Sequence, residues 1–217
     1  MAARVIVSLS GAVGSGKSTT ARAVVELLRA QGRPAEHVRF QDFVPLRLRT
    51  ERRRALRPQR TGEGGSLIRP EGTRRHDYRL RPLTLSVTAA YLLRSIFFRV
   101  ALRRWPKETI LVFDRYFYDS LVHFDLDRAG LLLEVLRRTL PAPAVAGLLL
   151  IPEETLRQRR SHYSADYARL ATTAYERLAA RFVWLIAIRT SAGMPVVDAT
   201  RLVNELLEKR LNHDSSV

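Results

Sequence analysis

The amino-acid sequence predicts an α/β protein, built as three layers (α/β/α) around a mainly parallel sheet of about five strands. Two observations lead to this class. Short runs of apolar and β-branched residues alternate with longer helical segments, and a glycine-rich loop joins the first run to the first helix. Because the chain has 217 residues and 46% of them are hydrophobic, residues 1–217 are expected to form a single domain with a full core, which excludes a disordered chain.

The predicted elements can be placed in order along the chain. Strands are expected at residues 4–10, 37–42, 109–114, 145–151 and 195–198. Helices are expected at residues 17–31, 83–104, 120–139, 153–188 (with a break near 161–164) and 202–211. The strands are short apolar runs, whereas the helices have apolar residues three or four positions apart. Because helical segments separate successive strands, the strands are expected to be parallel.

A basic insertion occupies about residues 46–82, between the second strand and the long apolar helix. The whole chain has 37 Lys and Arg residues against 21 Asp and Glu residues, which gives a net charge of +16. Residues 47–81 hold twelve arginines and four acidic residues, so a net charge of +8 falls in these 35 residues. Three roles are open for the insertion: a solvated loop, a cover over an anionic acceptor, or a contact with nucleic acid or an anionic membrane.

Composition excludes several classes of protein. The chain has no cysteine, which excludes disulfide scaffolds, thiolate zinc sites and cysteine nucleophiles. The most apolar stretch, at residues 83–102, is interrupted by Arg94 and Arg99, so no membrane-spanning helix is expected. The first residues lack the pattern of a signal peptide, and the expected location is therefore the cytoplasm.

A phosphate-binding loop is the most specific motif in the chain. It matches the P-loop pattern G-x-x-x-x-G-K-[ST] without a mismatch, follows an apolar strand and precedes an amphipathic helix. Glycines let consecutive backbone N–H groups turn toward an anion, and the helix N-terminus adds partial positive charge. Lys17 is expected to reach the β- and γ-phosphate oxygens of ATP, and Ser18 to ligate Mg²⁺. The ATP-binding candidates are Gly11, Ala12, Val13, Gly14, Ser15, Gly16, Lys17, Ser18 and Thr19.

A second candidate site lies at the end of the strand predicted at 109–114. Asp114 ends this strand and should emerge at the carboxyl edge of the sheet, beside the phosphate-binding loop, where ligands bind in such sheets. A carboxylate there can hold the hydration shell of Mg²⁺, so Ser18 and Asp114 are the metal candidates. Arg115 can meet an acceptor phosphate. No Asn-Lys-x-Asp tetrapeptide occurs in the chain, which argues against a GTPase.

The segment from Asp114 to Leu121 reads D-R-Y-F-Y-D-S-L and resembles the D-R-Y-x-x-S motif of thymidylate kinases. Four further features resemble that family in order and spacing: Arg94 on the long helix, the arginine-rich segment 156–160, the helix over 174–182 and the Asp-Ala-Thr segment 198–200. The resemblance covers residues 4–45 and 83–212. It implies a P-loop NTPase fold with an arginine-rich lid at about residues 153–166.

The resemblance also implies roles for individual residues. Arg157, Arg159 and Arg160 belong to the lid, and Arg157 and Arg160 share a helix face from which they would neutralise charge on the transferred phosphoryl group. Asp198 would border the adenine of ATP, the phosphoryl donor, and Arg157 would also contact ATP. The acceptor candidates are Asp42, Arg94, Arg115 and Tyr116. The catalytic candidates are Lys17, Asp42, Asp114, Arg115, Arg157 and Arg160.

The acceptor side departs from the family. Thymidylate kinases follow their second strand with Arg-Glu-Pro-Gly-Gly-Thr, whereas residues 40–47 here read F-Q-D-F-V-P-L-R. In related deoxynucleoside kinases an acidic residue at this place takes the proton from an acceptor hydroxyl. If Asp42 does so here, the acceptor is an alcohol, because an anionic phosphate acceptor needs no base. The other interpretation is that Asp42 caps a turn.

The expected function is ATP- and Mg²⁺-dependent phosphoryl transfer to a small acceptor, with a nucleoside monophosphate as the leading candidate. One alternative is a kinase that phosphorylates a hydroxyl of a nucleoside, sugar or other small molecule with Asp42 as base. A second is a nucleic-acid-binding NTPase or polynucleotide kinase that uses the basic insertion. Besides ATP and the acceptor, a second copy of the chain, which would form a homodimer, is left open as a partner.

Overall fold

The structure is a computed structural model that describes residues 4–40, 83–125, 127, 129–159, 165–190 and 196–214. Five strands form one sheet in the order β2-β3-β1-β4-β5, and every pairing is parallel. The strands are β1 (Ile6–Gly11), β2 (Ala35–Arg39), β3 (Ile110–Asp114), β4 (Val145–Leu150) and β5 (Ile186–Arg189). The predicted α/β class with a five-stranded parallel sheet is confirmed.

Seven helices in the described ranges connect the strands and cover the sheet. They are α1 (Lys17–Ala30), α2 (Leu85–Leu102), α3 (Phe117–Leu121), α4 (Gly130–Thr139), α5 (Glu153–Arg159), α6 (Ala165–Arg181) and α7 (Val196–Asp214). The predicted helices at 17–31 and 83–104 are confirmed to within two residues at each end. Helix α2 begins after Thr84, whose side chain accepts a hydrogen bond from the Val87 amide and so satisfies one of the free donors at the helix start.

The register of the sheet brings the ends of β1 and β3 together. All six residues of β1 and all five of β3 are buried, as expected for the inner strands of a parallel sheet covered on both faces. Leu9 of β1 pairs with Asp114, the last residue of β3. Asp114 therefore lies level with Leu9, two residues before β1 ends and the phosphate-binding loop begins.

Apolar side chains cover both faces of the sheet and give the three predicted layers. On one face, α1 and α7 pack through residues such as Val24, Leu28, Val203 and Leu207. On the other face, α2, α4 and α6 enclose a cluster that contains many of the aromatic rings. Phe98, for example, is 5.3 Å from Phe113 and from Phe117 between ring centroids.

Two predicted elements in the C-terminal third were of the wrong type. The strand predicted at 195–198 is instead the start of α7, which begins at Val196 and places Ala199, Val203 and Leu207 against α1 at helical spacing. The last strand is β5, which lies inside the helix predicted at 153–188. Its four residues pair with β4, and this pairing overrides the helical pattern around them.

The helix predicted at 120–139 is also interrupted. The chain forms the short α3, leaves the helical conformation after Leu121 and re-enters it at Gly130 as α4. The basic insertion at 46–82 lies outside the described residues, and so do Asp42 and Arg160. Their predicted roles therefore stay predictions.

Helix α2 has the length and composition of a membrane-spanning helix, with a mean hydropathy of 1.5 over Leu85–Leu102 despite its two arginines. Length and hydropathy therefore do not by themselves exclude a membrane-spanning helix here, contrary to the expectation based on Arg94 and Arg99. One side of α2 packs into the core through Tyr91, Phe98 and other residues. Its other side is exposed and mostly apolar, with Leu93, Ile96, Phe97 and Val100 near the exposed Arg99.

Candidate phosphate-binding site

The phosphate-binding loop connects β1 to α1, as its pattern predicts. Three of its glycines have positive φ angles, of 151° at Gly11, 93° at Gly14 and 90° at Gly16, conformations that residues with a side chain rarely adopt. The ammonium group of Lys17 is buried and donates to the carbonyl oxygen of Ala12 at 2.8 Å. The loop thus folds back over the start of its own helix and holds the lysine within it.

Gly11 is also required by packing. A Cβ atom at this position would lie 2.6 Å from the carbonyl oxygen of Leu149 and 2.8 Å from Oγ of Ser15. Because the first of these atoms belongs to the backbone of β4, it has little freedom to move away. Any larger residue would therefore displace the loop from the sheet.

The N-terminus of α1 is left open for an anion. Its capping residue is Gly16, which provides no side-chain hydrogen bond, and the first turn contains no acidic residue. Ser18 and Thr19, in this first turn, are exposed. The positive end of the helix dipole therefore faces outward without a competing carboxylate.

Asp114 lies at the carboxyl edge of the sheet, where the sequence analysis expects it. The residue is only 8% exposed, and its Oδ1 atom has no hydrogen-bond partner among the described residues. A buried carboxylate oxygen that is left unbonded costs free energy. Such an atom beside a phosphate-binding loop is suited to accept a hydrogen bond from a hydrated cation.

Arg115 has a strained backbone, with φ at 72°, and it is the one described residue other than glycine with a positive φ. A left-handed conformation costs about 1–2 kcal/mol for an L-residue. Two interactions hold it: the Arg115 amide donates to the carbonyl oxygen of Leu9 at 2.9 Å, and the guanidinium forms an ion pair with Asp119. Burial opposes the charge of Arg115, but the Asp119 carboxylate raises the pKa of the guanidinium above its ordinary value.

Asp119 is a residue that the sequence analysis missed. Its carboxylate is buried and accepts hydrogen bonds from the backbone N–H of Gly11 at 3.1 Å, from the hydroxyl of Tyr175 at 3.0 Å and from Arg115. Three separate parts of the protein, the phosphate-binding loop, α6 and the segment after β3, therefore meet at one side chain. The available signal was its position, because Asp119 stands where the D-R-Y-x-x-S motif has serine.

The lid begins at α5, and one of its arginines reaches the phosphate-binding loop. Nη1 of Arg159 donates to the carbonyl oxygen of Gly14 at 3.3 Å. Arg157 instead lies within 3.8 Å of Glu154 in its own helix, and both side chains are more than half exposed. Of the two lid arginines that are described, Arg159 is therefore the one in contact with the candidate site.

Arg94 is the acceptor candidate on helix α2. Arg94 on α2 is half-buried, and its guanidinium carbon is 6.0 Å from the centre of the Tyr91 ring. Tyr91 is buried, which raises the pKa of its phenol, while a hydrogen bond to Ser120 opposes the shift. Arg94 is thereby linked, through Tyr91, to the segment that follows Arg115.

Two other predicted site residues have different surroundings. Tyr116 is fully buried, and its hydroxyl donates to the carbonyl oxygen of Pro141 at 2.9 Å, so its side chain points into the core. Asp198 lies in the first turn of α7 and is partly exposed, in a helix rather than in the predicted strand. The contacts proposed for them with acceptor and adenine stay predictions.

The chain was compared with known proteins. No protein-family model matches it, and neither does any curated protein. Over 98% of this chain and 95% of the other, the structure is similar to that of thymidylate kinase from Candida albicans, with a TM-score of 0.55 and 17% sequence identity. The chain therefore has the α/β fold of P-loop kinases, with a five-stranded parallel sheet in the order 2-3-1-4-5, and it matches a thymidylate kinase in structure, as its motifs predict.

Proposed function

We propose that this protein transfers the γ-phosphoryl group of ATP to a small acceptor, and that the acceptor is a nucleoside monophosphate. The observation that carries the proposal is the convergence of four groups at one edge of the sheet. These are the open N-terminus of α1, the Lys17 ammonium, the unbonded oxygen of Asp114 and the Arg159 guanidinium. Together they offer hydrogen-bond donors to a polyphosphate and a carboxylate oxygen to the hydrated cation that accompanies it.

The residues fit Mg²⁺ bound together with ATP. Mg²⁺ prefers oxygen ligands and keeps several of its waters, so it needs one or two protein oxygens rather than a complete cage. The exposed hydroxyl of Ser18 and the unbonded Oδ1 of Asp114 are such oxygens. The cation would neutralise charge on the β- and γ-phosphate oxygens.

The other residues of the site bind and orient the donor. The amides of residues 14–18 would hold the phosphates, and Lys17 would exchange its bond to Ala12 for the β- and γ-phosphate oxygens. Arg159, already at the rim of the loop, would stabilise the negative charge that spreads over the transferred group. Such preorganised charge is expected to contribute most of the rate enhancement, because phosphoryl transfer needs little covalent chemistry from the protein.

A nucleotide acceptor is supported by the two arginines on the acceptor side. Arg115 directly follows Asp114, and Arg94 lies near the ring of Tyr91, whose phenol is hydrogen-bonded to Ser120. Guanidinium groups bind phosphate in a bidentate manner. The structurally similar protein is named a thymidylate kinase, which agrees with this acceptor class. The alternative with an alcohol acceptor needs Asp42 as base, and the one with nucleic acid needs the basic insertion.

A transfer assay distinguishes these acceptors. The purified protein is incubated with γ-labelled ATP, Mg²⁺ and a panel of nucleoside monophosphates, nucleosides, sugars and oligonucleotides. We expect label in a nucleoside diphosphate, and we expect Lys17→Ala to lower kcat by about a hundredfold or more. Lys107→Ala, at an exposed lysine before β3, is the matched control and should behave like the wild type. Label in an alcohol or an oligonucleotide, with none in any monophosphate, would refute the proposed acceptor.

We also propose that the chain forms a homodimer through α2 and α4. Seven of the ten exposed large hydrophobic side chains in the described ranges lie on these two helices: Leu85, Leu93, Ile96, Phe97, Val100, Leu131 and Val135. The helices pack against each other, and Arg99 is turned toward the carbonyl oxygen of Thr139.

The size of this surface suits a second copy of the chain. Helix α2 is about 27 Å long, and a packed neighbour about 10 Å away widens the surface. Helix α4 is about 15 Å long, so the two helices present a face of about 400 Å², and neighbouring residues would supply the rest of the roughly 800 Å² per partner of a standard interface. A two-fold axis would bury the apolar surface of each copy against that of the other, and the exposed Arg99 among these side chains would keep its hydrogen bond to Thr139.

A further inference from the structure

We propose that Asp119 is a positioning residue for phosphoryl transfer: its buried carboxylate fixes the Arg115 guanidinium beside the phosphate-binding loop and joins the helix after the lid to that loop. The proposal rests on the proposed function, since it assigns Arg115 a phosphate to bind. It concerns a residue that no motif of the sequence assigned to the site.

Asp119 serves three hydrogen-bond donors. A carboxylate can accept about four hydrogen bonds. That of Asp119 uses Oδ1 for the Gly11 amide and the Tyr175 hydroxyl, and Oδ2 for Arg115. Its side chain is 7% exposed, so these partners replace the water that a carboxylate requires. Removing the carboxylate would therefore leave all three donors without their acceptor.

Arg115 is held at both its side chain and its backbone. Its side chain is 28% exposed, so part of the guanidinium is open to solvent while another part is bound to Asp119. A guanidinium has five N–H donors in a planar arrangement, and the donors that Asp119 does not use keep a fixed direction. Because the Arg115 amide is bonded to Leu9 of β1, backbone and side chain are both fixed relative to the phosphate-binding loop.

Asp119 also contacts the helix that follows the lid. Tyr175 lies on α6, the helix that follows the lid, and it is buried with its hydroxyl on Asp119. Helix α5 at the start of the lid reaches the same loop through Arg159 and Gly14. The helices on both sides of the lid are therefore linked to the phosphate-binding loop, one of them through Asp119.

The test begins with Asp119→Asn, which keeps the size of the side chain and an oxygen for Gly11 and Tyr175 but offers no charge to Arg115. A small displacement of a positioned group can cost about a hundredfold in rate, so we expect kcat to fall by about that factor, with the KM for MgATP changed by less than about threefold. Glu208→Gln is the matched control, because it breaks the Arg33–Glu208 ion pair between the end of α1 and α7, away from the site. It should leave kcat unchanged.

A double-mutant cycle separates positioning from a structural role. If Asp119 acts through Arg115, Asp119→Asn should lower kcat by less than about twofold in an Arg115→Ala background. A full additional loss in that background would overturn the proposal, as would an Asp119→Asn variant with wild-type kcat. If Asp119→Asn does not fold, Asp119→Ser, which restores the serine of the D-R-Y-x-x-S motif, takes its place in the cycle.

A second readout does not depend on transfer activity. In the wild type, an Nη–H signal of Arg115 should be visible by NMR and protected from solvent exchange, because Nη1 donates to Asp119, and it is assigned by its loss in Arg115→Lys. Asp119→Asn should remove this protection, whereas Glu208→Gln should keep it. An unchanged signal in Asp119→Asn would overturn the proposal. A wild type that phosphorylates no acceptor would refute the proposed function alone, and this measurement would still decide the role of Asp119.

Discussion

The guanidinium of Arg159 donates a hydrogen bond to the carbonyl oxygen of Gly14, with 3.3 Å between the two atoms. These residues are 145 positions apart in the chain, and they belong to the lid helix α5 and to the phosphate-binding loop. The contact identifies which of the two described lid arginines is placed to act on a phosphoryl group in that loop. It also leads to the first prediction.

Arg159→Ala should lower kcat by about a hundredfold or more, because a fixed positive charge beside the transferred group is lost. Arg157→Ala should cost less, about tenfold or below, since Arg157 pairs with Glu154 in its own helix. Steady-state kinetics with the identified acceptor measures both values. Arg169→Ala, an exposed arginine on α6, is the control for a general loss of positive charge. A larger effect for Arg157 than for Arg159 would contradict this assignment.

Asp114→Asn should raise the Mg²⁺ concentration needed for half-maximal activity by about 10–100-fold. Such an effect is typical when a residue that hydrogen-bonds to the ligands of a metal ion is replaced. The amide keeps the size of the carboxylate but attracts the hydrated cation less. The measurement is a magnesium titration of the initial rate at constant ATP. Asp166→Asn, at an exposed aspartate on α6, should leave the titration unchanged. An unchanged titration for Asp114→Asn would show that the cation is held elsewhere.

The wild-type protein should be a dimer in solution, and Ile96→Glu should make it a monomer. Ile96 is 58% exposed on α2, and a glutamate there would place a charge in the middle of the proposed interface. Light scattering after size-exclusion chromatography gives the mass of each species. Val183→Glu adds the same charge at an apolar residue that is 93% exposed and lies outside α2 and α4, so it should stay dimeric.

Two results would count against this interface. One is a monomeric wild type over a wide range of concentrations. The other is a wild type that floats with lipid vesicles in a manner abolished by Ile96→Glu, which would assign the apolar surface to a membrane instead.

Stability should fall as the pH rises above about 10, the pKa of a tyrosine in an unfolded chain. Burial raises the pKa of Tyr116 and of Tyr118 well above this value. The unfolded state therefore loses these protons first, and alkaline pH favours it. Denaturant unfolding from pH 8 to 11, with tyrosinate absorbance recorded in parallel, tests this expectation.

Tyr116→Phe provides the comparison for the alkaline series. It removes the hydroxyl that donates to Pro141 and should cost about 1 kcal/mol at pH 8. Its stability should then fall less steeply above pH 10 than that of the wild type. Full tyrosinate absorbance in a protein that still has a native circular dichroism spectrum would contradict the burial of these rings.

The elements that were predicted correctly have strong local signals. The phosphate-binding loop follows from its glycines and from Lys17, and β3 follows from an uninterrupted apolar run that ends at Asp114. The start of α7 was mistaken for a strand because two valines and a proline precede Asp198. Strand β5 was missed because four residues carry too little pattern to be distinguished from the helix before them.

What the amino-acid pattern establishes about this protein is therefore the α/β class, the phosphate-binding loop and the position of Asp114 at the edge of the sheet. The phosphate-binding loop is recognised from residues that are adjacent in the sequence, and the position of Asp114 follows from the apolar run that it ends. The meeting of Asp119 with Gly11 and Tyr175, 108 and 56 positions away, emerges only from the folded chain. The same holds for Arg159 and Gly14, because hydrogen bonds between distant residues require the sheet and helices to be packed first.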